Sequence, residues 1–296
     1  MDLASILMLV GGLGLFLYGM KLMSDGLEAA AGDKLRTGLE LMTKNRFAAL
    51  GLGTGVTAVI QSSSATTVMV VGFVNAGLMS LTQAINVGIG ANIGTTVTAQ
   101  IVALKITEFA PIVLFAGVLI MLFVKKRSVR RVGEIIGGLG ILLFGMELMS
   151  EAVAPLRDYQ PFVDMLASFQ NPWLGFLAGL AVTAVIQSSS ATMGIIQAFA
   201  MQGIMGLDSA VYVILGLNIG TCVTAILASI SGTKTAKRTA IALLFFNIIG
   251  AFIFMAVMQL TPLVDWVKSW TPGEPVKQMA NFHTFFNVVC AFLFIG

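Results

Sequence analysis

The stretch Val56-Thr57-Ala58-Val59-Ile60-Gln61-Ser62-Ser63-Ser64-Ala65-Thr66 recurs without change as Val182-Thr183-Ala184-Val185-Ile186-Gln187-Ser188-Ser189-Ser190-Ala191-Thr192. The same offset joins further pairs. Gly11-Gly12-Leu13-Gly14 returns as Gly137-Gly138-Leu139-Gly140, and Gly19-Met20 as Gly145-Met146. Downstream, Gly90, Asn92-Ile93-Gly94-Thr95 and Val97-Thr98-Ala99 return as Gly216, Asn218-Ile219-Gly220-Thr221 and Val223-Thr224-Ala225. The chain is a tandem duplication with one polar run inside an apolar stretch of each half, the pattern of chains built from internal membrane repeats.

Composition places the duplication in a bilayer. Hydrophobic residues make up 57% and charged residues 10% of the 296, and the mean hydropathy is +0.94. A soluble domain carries about a quarter charged residues, so this chain lacks the groups to solvate its surface. Net charge is only +3, and the basic residues sit in short clusters between apolar runs, which excludes nucleic-acid binding as the main task. Cys222 and Cys290 lie inside apolar segments and suit neither a disulfide framework nor a metal site. The N-terminus lacks the basic flank of a cleaved signal peptide and reads as the start of a spanning helix. The C-terminus stops at an apolar run, as expected of a chain cut before a further domain.

Segments long enough to cross, about 17–25 residues, fall near 4–23, 80–104, 108–124, 132–152, 208–231, 239–260 and 280–296. Two stretches, 47–77 and 173–203, are longer and are interrupted at Gln-Ser-Ser-Ser. Charge decides their form. If both are re-entrant hairpins, the basic segments 31–46, 125–131 and 232–238 share one face, which the positive-inside rule makes cytoplasmic. That face then holds Lys34, Arg36, Lys44 and Arg46, Lys125 to Arg131, and Lys234, Lys237 and Arg238; the other receives Lys105, Arg157, Lys268 and Lys277. Each repeat has three crossings plus one hairpin, so the second is inverted relative to the first. The expected fold is an all-α polytopic membrane protein: repeat 1 over 1–131, repeat 2 over 132–260, and a loop and last membrane helix over 261–296. Each hairpin arm, about 13 residues or roughly 20 Å, reaches past the midplane without crossing.

A broken helix at membrane depth needs a cavity around its unpaired backbone. At Gln61–Ser64 and Gln187–Ser190 the second arm begins, presenting free amides and a positive dipole end, and two such ends facing each other form an anion site. The segments Gly90–Thr96 and Gly216–Cys222 suggest local unwinding, because Gly beside Asn and Thr frees carbonyls; with Asn and Thr oxygens these suit a hard monovalent cation. Neither element carries a charge, so a bound multivalent anion calls for co-bound cations. A lone membrane serine usually returns a hydrogen bond to its own helix, but a Gln and three Ser repeated at matching depth point to a site. The glycine-rich starts at Gly11–Gly19 and Gly137–Gly145 read as close helix packing, and the methionines as core filler. His283, the only histidine, reads as a structural hydrogen-bonding residue one turn before Asn287. Lys21 and Glu147 occupy equivalent repeat positions with opposite charge and are candidates to pair, with snorkelling of Lys21 to the interface as the alternative. An intramembrane serine hydrolase would need a base beside the nucleophile, and the sole histidine lies on another helix; the chain reads as a non-enzyme.

With these motifs the chain resembles the sodium-dependent phosphate cotransporter II family. The resemblance rests on Gln61–Thr66 and Gln187–Thr192, on Gly90–Thr95 and Gly216–Thr221, and on Asn281-Phe282-His283-Thr284-Phe285-Phe286-Asn287. It implies symport of inorganic phosphate with Na+ across the plasma membrane, with Na+ as coupling ion and no organic cofactor. The phosphate candidates are Ser62, Ser63, Ser64, Thr66, Ser188, Ser189, Ser190 and Thr192. The residues for sodium or for supporting the tips are Gln61, Asn92, Thr95, Thr96, Gln187, Asn218 and Thr221. The short loops look like bacterial members, many of which continue into a PhoU-like helical domain. The rival readings are a sodium-coupled carrier of sulfate or a dicarboxylate, and a sodium-independent phosphate channel or exporter.

Overall fold

The computed structural model describes residues 3–41, 45–104 and 109–295, following 31–41 as backbone only. Residues 42–44 of the first basic segment and 105–108, which hold Lys105, lie outside it. Among the described residues there are helices and no strands: α1 Leu3–Leu41, α2 Arg46–Ile60, α3 Ser63–Asn75, α4 Leu81–Ala103, α5 Ala110–Phe123, α6 Arg127–Val153, α7 Gln160–Ala167, α8 Pro172–Ile186, α9 Ser189–Met201, α10 Leu207–Gly220, α11 Cys222–Ser229, α12 Lys234–Leu260, α13 Leu263–Trp270 and α14 Pro275–Phe294. Among the described residues, four helical stretches are long and apolar enough to cross a membrane: 3–30, 127–158, 207–229 and 234–260. A fifth arises if the 160–170 and 172–186 segments, bent by 105°, count as one span. The chain is a multi-pass membrane protein. The expected spans 80–104 and 280–296 appear as α4 and α14, whose polar side chains dilute their hydropathy, and 108–124 is the short α5.

The helix limits follow from local chemistry. Asn45 and Asn171 stand at equivalent positions and cap α2 and α8, each side chain accepting from the two amides that follow one residue on. The outer ends of α3 and α9 turn through Gly77 (φ 74°) and Gly203 (φ 69°), a left-handed conformation that costs glycine nothing. Ser80 and Gln83 form a reciprocal capping box at the start of α4.

Small residues bring the helices together, as expected where lipid removes the hydrophobic drive for association. A Cβ added to Gly19 would run into the backbone of Leu142 and Gly138, and one on Gly138 into Met23 and Gly19. Gly145 likewise abuts Phe16 and Gly12. The α1–α6 contact is thus antiparallel and reciprocal: Gly12 meets Gly145 and Gly19 meets Gly138, although Gly12 corresponds to Gly138 by repeat. The reading of these glycines as close packing holds. The same economy seats α2 on α4, where Gly90 lies against Leu50, and α8 on α10, where Gly216 lies against Phe176. Phe16, Leu142, Met146, Met149, Met193 and Ile214 are fully buried among the core side chains.

Polar contacts tie segments distant in the chain: Arg46 donates to the Ile295 carbonyl (3.2 Å), the Thr233 amide donates to Asn75 (2.8 Å), and Arg131 engages the Ala29 carbonyl. Lys268 pairs with Asp208 (2.5 Å), Gln259 donates to Tyr212 (3.1 Å) and Gln202 donates to Ser150 (2.9 Å). Lys21 pairs with Asp25 at 2.7 Å on an exposed helix face. The candidate Lys21–Glu147 pairing is therefore corrected: a carboxylate one turn along the same helix reaches the ammonium at no cost in burial.

Candidate functional site

The two polar runs fold alike. The peptide turns at Gln61 (φ 55°, ψ 22°) and at Gln187 (φ 57°, ψ 25°), the only non-glycine positive-φ residues among those described. Placing a side-chain-bearing residue in this region costs about 1–2 kcal/mol, and glycine would avoid it. A glutamine there points to a use for its side chain. Ser62 and Ser188 are then extended N-caps whose hydroxyls accept from Ala65 (3.1 Å) and Ala191 (3.2 Å). Each tip is thus a left-handed stop followed at once by a helix start, which leaves the first amides of α3 and α9 unpaired by their own helix.

Thr66 and Thr192 do not face the gap between the tips. Each bonds back to the serine carbonyl four residues earlier and engages the facing arm, Thr57 with Thr66 and Thr183 with Thr192, both at 2.9 Å. They clamp the arms of each hairpin. What reaches across is Ser64, whose hydroxyl donates to the Gln187 carbonyl at 3.4 Å. Ser190 reaches Thr98 at 3.4 Å, and Thr98 in turn donates to the Gln61 side-chain amide oxygen, Oε1, at 2.7 Å. Ser63 and Ser189, the first residues of α3 and α9, are both buried.

Two cavities flank the start of α3. One, narrow at about 20 Å³, is lined by Ser63, Thr67, Asn92, Asn218, Thr221, Cys222 and Asn247, along with Gly88, Ala225 and Leu243. Room for one water needs about 10–15 Å³, so this volume suits a water or a single small ion. The other, an open cavity of about 540 Å³, is bordered by Ser64, Gln187 and Thr224 with Ala65, Val68, Met69 and Leu227. No charged side chain borders either, and among the described residues no group of three His, Cys, Asp or Glu could hold a metal. A cation here would have to rely on neutral oxygens.

The second motif differs from expectation. α4 runs unbroken through Gly90–Thr96, with Thr96 bonded to the Ile93 carbonyl (2.8 Å). In the other repeat the helix is interrupted only at Thr221, which keeps helical torsions (φ −64°, ψ −26°) and bonds to the Leu217 carbonyl (2.9 Å). In the first repeat the expected unwinding and half-helix start at Thr95 are not found, because glycines 90 and 94 serve instead as a seat for α2. In the second a new helix, α11, does start after Thr221, but without unwinding, and glycines 216 and 220 seat α8. Asn218 donates to the Ile214 carbonyl (2.9 Å), leaving its oxygen free. Thr95 is buried with its hydroxyl unpartnered among the described residues.

Several functional candidates escaped the sequence reading. Asn247 on α12 accepts from Asn92 (2.9 Å) and donates to Cys222 Sγ (3.2 Å); a lone Asn in an apolar span was the signal that could have found it. Thr98 carries Gln61, and Ser24 on α1 donates to the Ile60 carbonyl at 2.5 Å, next to the break.

Fold and site together define a helical multi-pass membrane protein with paired broken-helix tips. The chain belongs to the Na+/Pi-cotransporter family, whose profile matches residues 15–151 and 159–268. It is therefore a member of a phosphate-transporter family. A Bacillus subtilis protein, YqeW, is 36% identical over 95% of this chain and 90% of its own length. A proposed inorganic phosphate export protein of Salmonella typhimurium, YjbB, is 29% identical over 96% of this chain and 52% of its own. The chain thus spans about half of the latter. The rat sodium-dependent phosphate transport protein 2A is 37% identical over 34% of this chain and 16% of its own length. No solved structure matches the chain.

Proposed function

We propose that the protein couples Na+ to the movement of inorganic phosphate across the plasma membrane, binding phosphate between the two hairpin tips. The observation that carries this reading is the meeting of two helix N-termini, joined by Ser64 on the Gln187 carbonyl. The free amides of α3 and α9, with Ser63, Ser64, Ser189 and Ser190, provide donors for the anion's oxygens; Ser62 and Ser188 cap these helices, and Thr66 and Thr192 brace them. Sodium is assigned to the narrow cavity, with Asn92, Asn218, Thr221 and the newly found Asn247 as oxygen ligands. Thr95, Thr96, Gln61 and Gln187 support the tips. With no protein charge at either cavity, the cations offset the anion's charge, and each ligand raises the other's affinity reciprocally.

The topology proposed is two inverted repeats, 1–131 and 132–260, each three crossings plus a re-entrant hairpin, followed by 261–296. Its support is the reciprocal Gly12–Gly145 and Gly19–Gly138 contact, which is the two-fold pattern of one patch meeting itself. The basic segments 31–46, 125–131 and 232–238 are assigned to the cytoplasm. In support, Arg131 reaches the Ala29 carbonyl, and Asn75, at the outer end of α3, accepts from Thr233. A second reading, outward flow of phosphate, is favoured by the similarity to YjbB.

The test is labelled-phosphate flux in proteoliposomes under an inward sodium gradient or an equal potassium gradient. Accumulation above equilibrium only with sodium supports coupled symport; flux indifferent to the cation supports the channel or exporter, and competition by sulfate or succinate returns the substrate to another anion.

A further inference from the structure

Away from the tips, three buried polar side chains on α9 and α14 keep atoms without a hydrogen-bond partner among the described residues: Gln197 Oε1, both ring nitrogens of His283, and Asn287 Oδ1. His283 and Gln197 are each 1% exposed and Asn287 not at all. The structural hydrogen bonding expected of the His283 ring is thus not made. Asn287 uses its amide NH2 on the His283 carbonyl (2.8 Å), which leaves its oxygen beside that turn. Gln197 donates to the Ala99 carbonyl on α4 (3.1 Å) and to the Val276 carbonyl on α14 (3.5 Å).

Residues 276, 283 and 287 share one face of α14 at helical spacing, and the His283 ring leans back toward 279 and 280. Gln197 meets that face at the Val276 carbonyl, so helical spacing directs the other two polar groups toward the same seam between α9 and α14. In a membrane interior each unmet polar atom costs several kcal/mol, and native structures supply such atoms with partners. The inventory identifies the partner. A neutral imidazole offers one donor and one acceptor, and the two amide oxygens are acceptors. Three acceptors and one donor, with no carboxylate on either helix to offset a charge, match water rather than a cation, which would meet an N–H and too few oxygens.

We propose that the α9–α14 seam is a hydration site holding about two ordered waters, each making the roughly three hydrogen bonds usual for buried water. The site lies on the arm that carries the second tip, about 12 Å along the helix from Ser189, and is independent of which anion is carried.

Millisecond X-ray hydroxyl-radical footprinting of the full chain in proteoliposomes tests the site, because radicals form from bound water where it sits. Met279, one turn before His283 and fully buried, and the His283 ring are expected to oxidise, whereas Met146, equally buried at the α1–α6 glycine contact, does not. Gln197→Leu with Asn287→Leu is expected to abolish Met279 oxidation while thermal melting shows the fold retained; His283→Phe provides a second variant with the same expectation should the first not fold. Met279 as silent as Met146, while exposed Met165 is oxidised, overturns the proposal. So does Met279 oxidation that disappears when sodium replaces potassium, which would make the occupant a cation.

Discussion

The two tips are one sequence in two surroundings. Gln61 and Gln187 adopt the same left-handed torsions within a few degrees, and the caps, the threonine clamps and the glycine seats repeat around them. Yet Gln61 is 4% exposed, its amide taken up by Thr98 and by the Ala58 carbonyl, while Gln187 is exposed at the open cavity. Ser24 secures the carbonyl before the first break; its counterpart Ser150 is engaged by Gln202 instead. A repeated sequence therefore repeats what the chain decides locally, and the halves diverge wherever the partner comes from a different helix. The glutamine of the first tip is anchored, and that of the second is exposed.

The comparison is broken most severely through what the halves share. Gly90→Val and Gly216→Val each force a side chain into the backbone of the facing arm, at Leu50 and Phe176. Both variants are expected to lose more than about 4 kcal/mol, seen as collapse of the monodisperse peak in detergent; a well-folded variant would mean the seat is not needed. Ser63→Ala and Ser189→Ala are next. Loss of a hydrogen bond to a charged ligand is worth about 1.5–3 kcal/mol, so phosphate affinity should fall roughly tenfold or more in both, by binding calorimetry. A loss in only one would place the anion at a single tip.

The glutamines separate the halves. Gln61→Ala strands Thr98 and should lower stability by about 1–3 kcal/mol, whereas Gln187→Ala should leave the melting temperature nearly unchanged. Equal shifts would erase the distinction between an anchored and an exposed glutamine. Smallest in stability, Asn92→Ala and Asn218→Ala should raise the sodium concentration for half-maximal flux; Asn92→Ala should do more, because it also unseats Asn247. An unchanged sodium dependence in both would move the cation sites elsewhere.

Much of this was legible in the residues. Gln-Ser-Ser-Ser between apolar arms marked two helix breaks, and Gly12, Gly19, Gly138 and Gly145 marked a close contact. The second motif misled, because Gly90 and Gly94 serve equally to open a helix or to let a neighbour approach, and sequence alone does not tell these uses apart. Thr66 looked like a ligand beside three serines, but helical spacing turns it toward Thr57. Asn247 was hidden as one polar residue in a long apolar span.

By itself, then, the sequence determined the duplication, the membrane setting, the two breaks and their caps, because these depend on hydropathy and on torsions within a few residues. Only the tertiary structure decided that Thr98 holds one glutamine while the other is exposed, that Asn247 joins Asn92, and that α14 brings the Val276 carbonyl to Gln197. Those contacts join residues distant in the chain, and their partners are set by how helices cross rather than by any local preference.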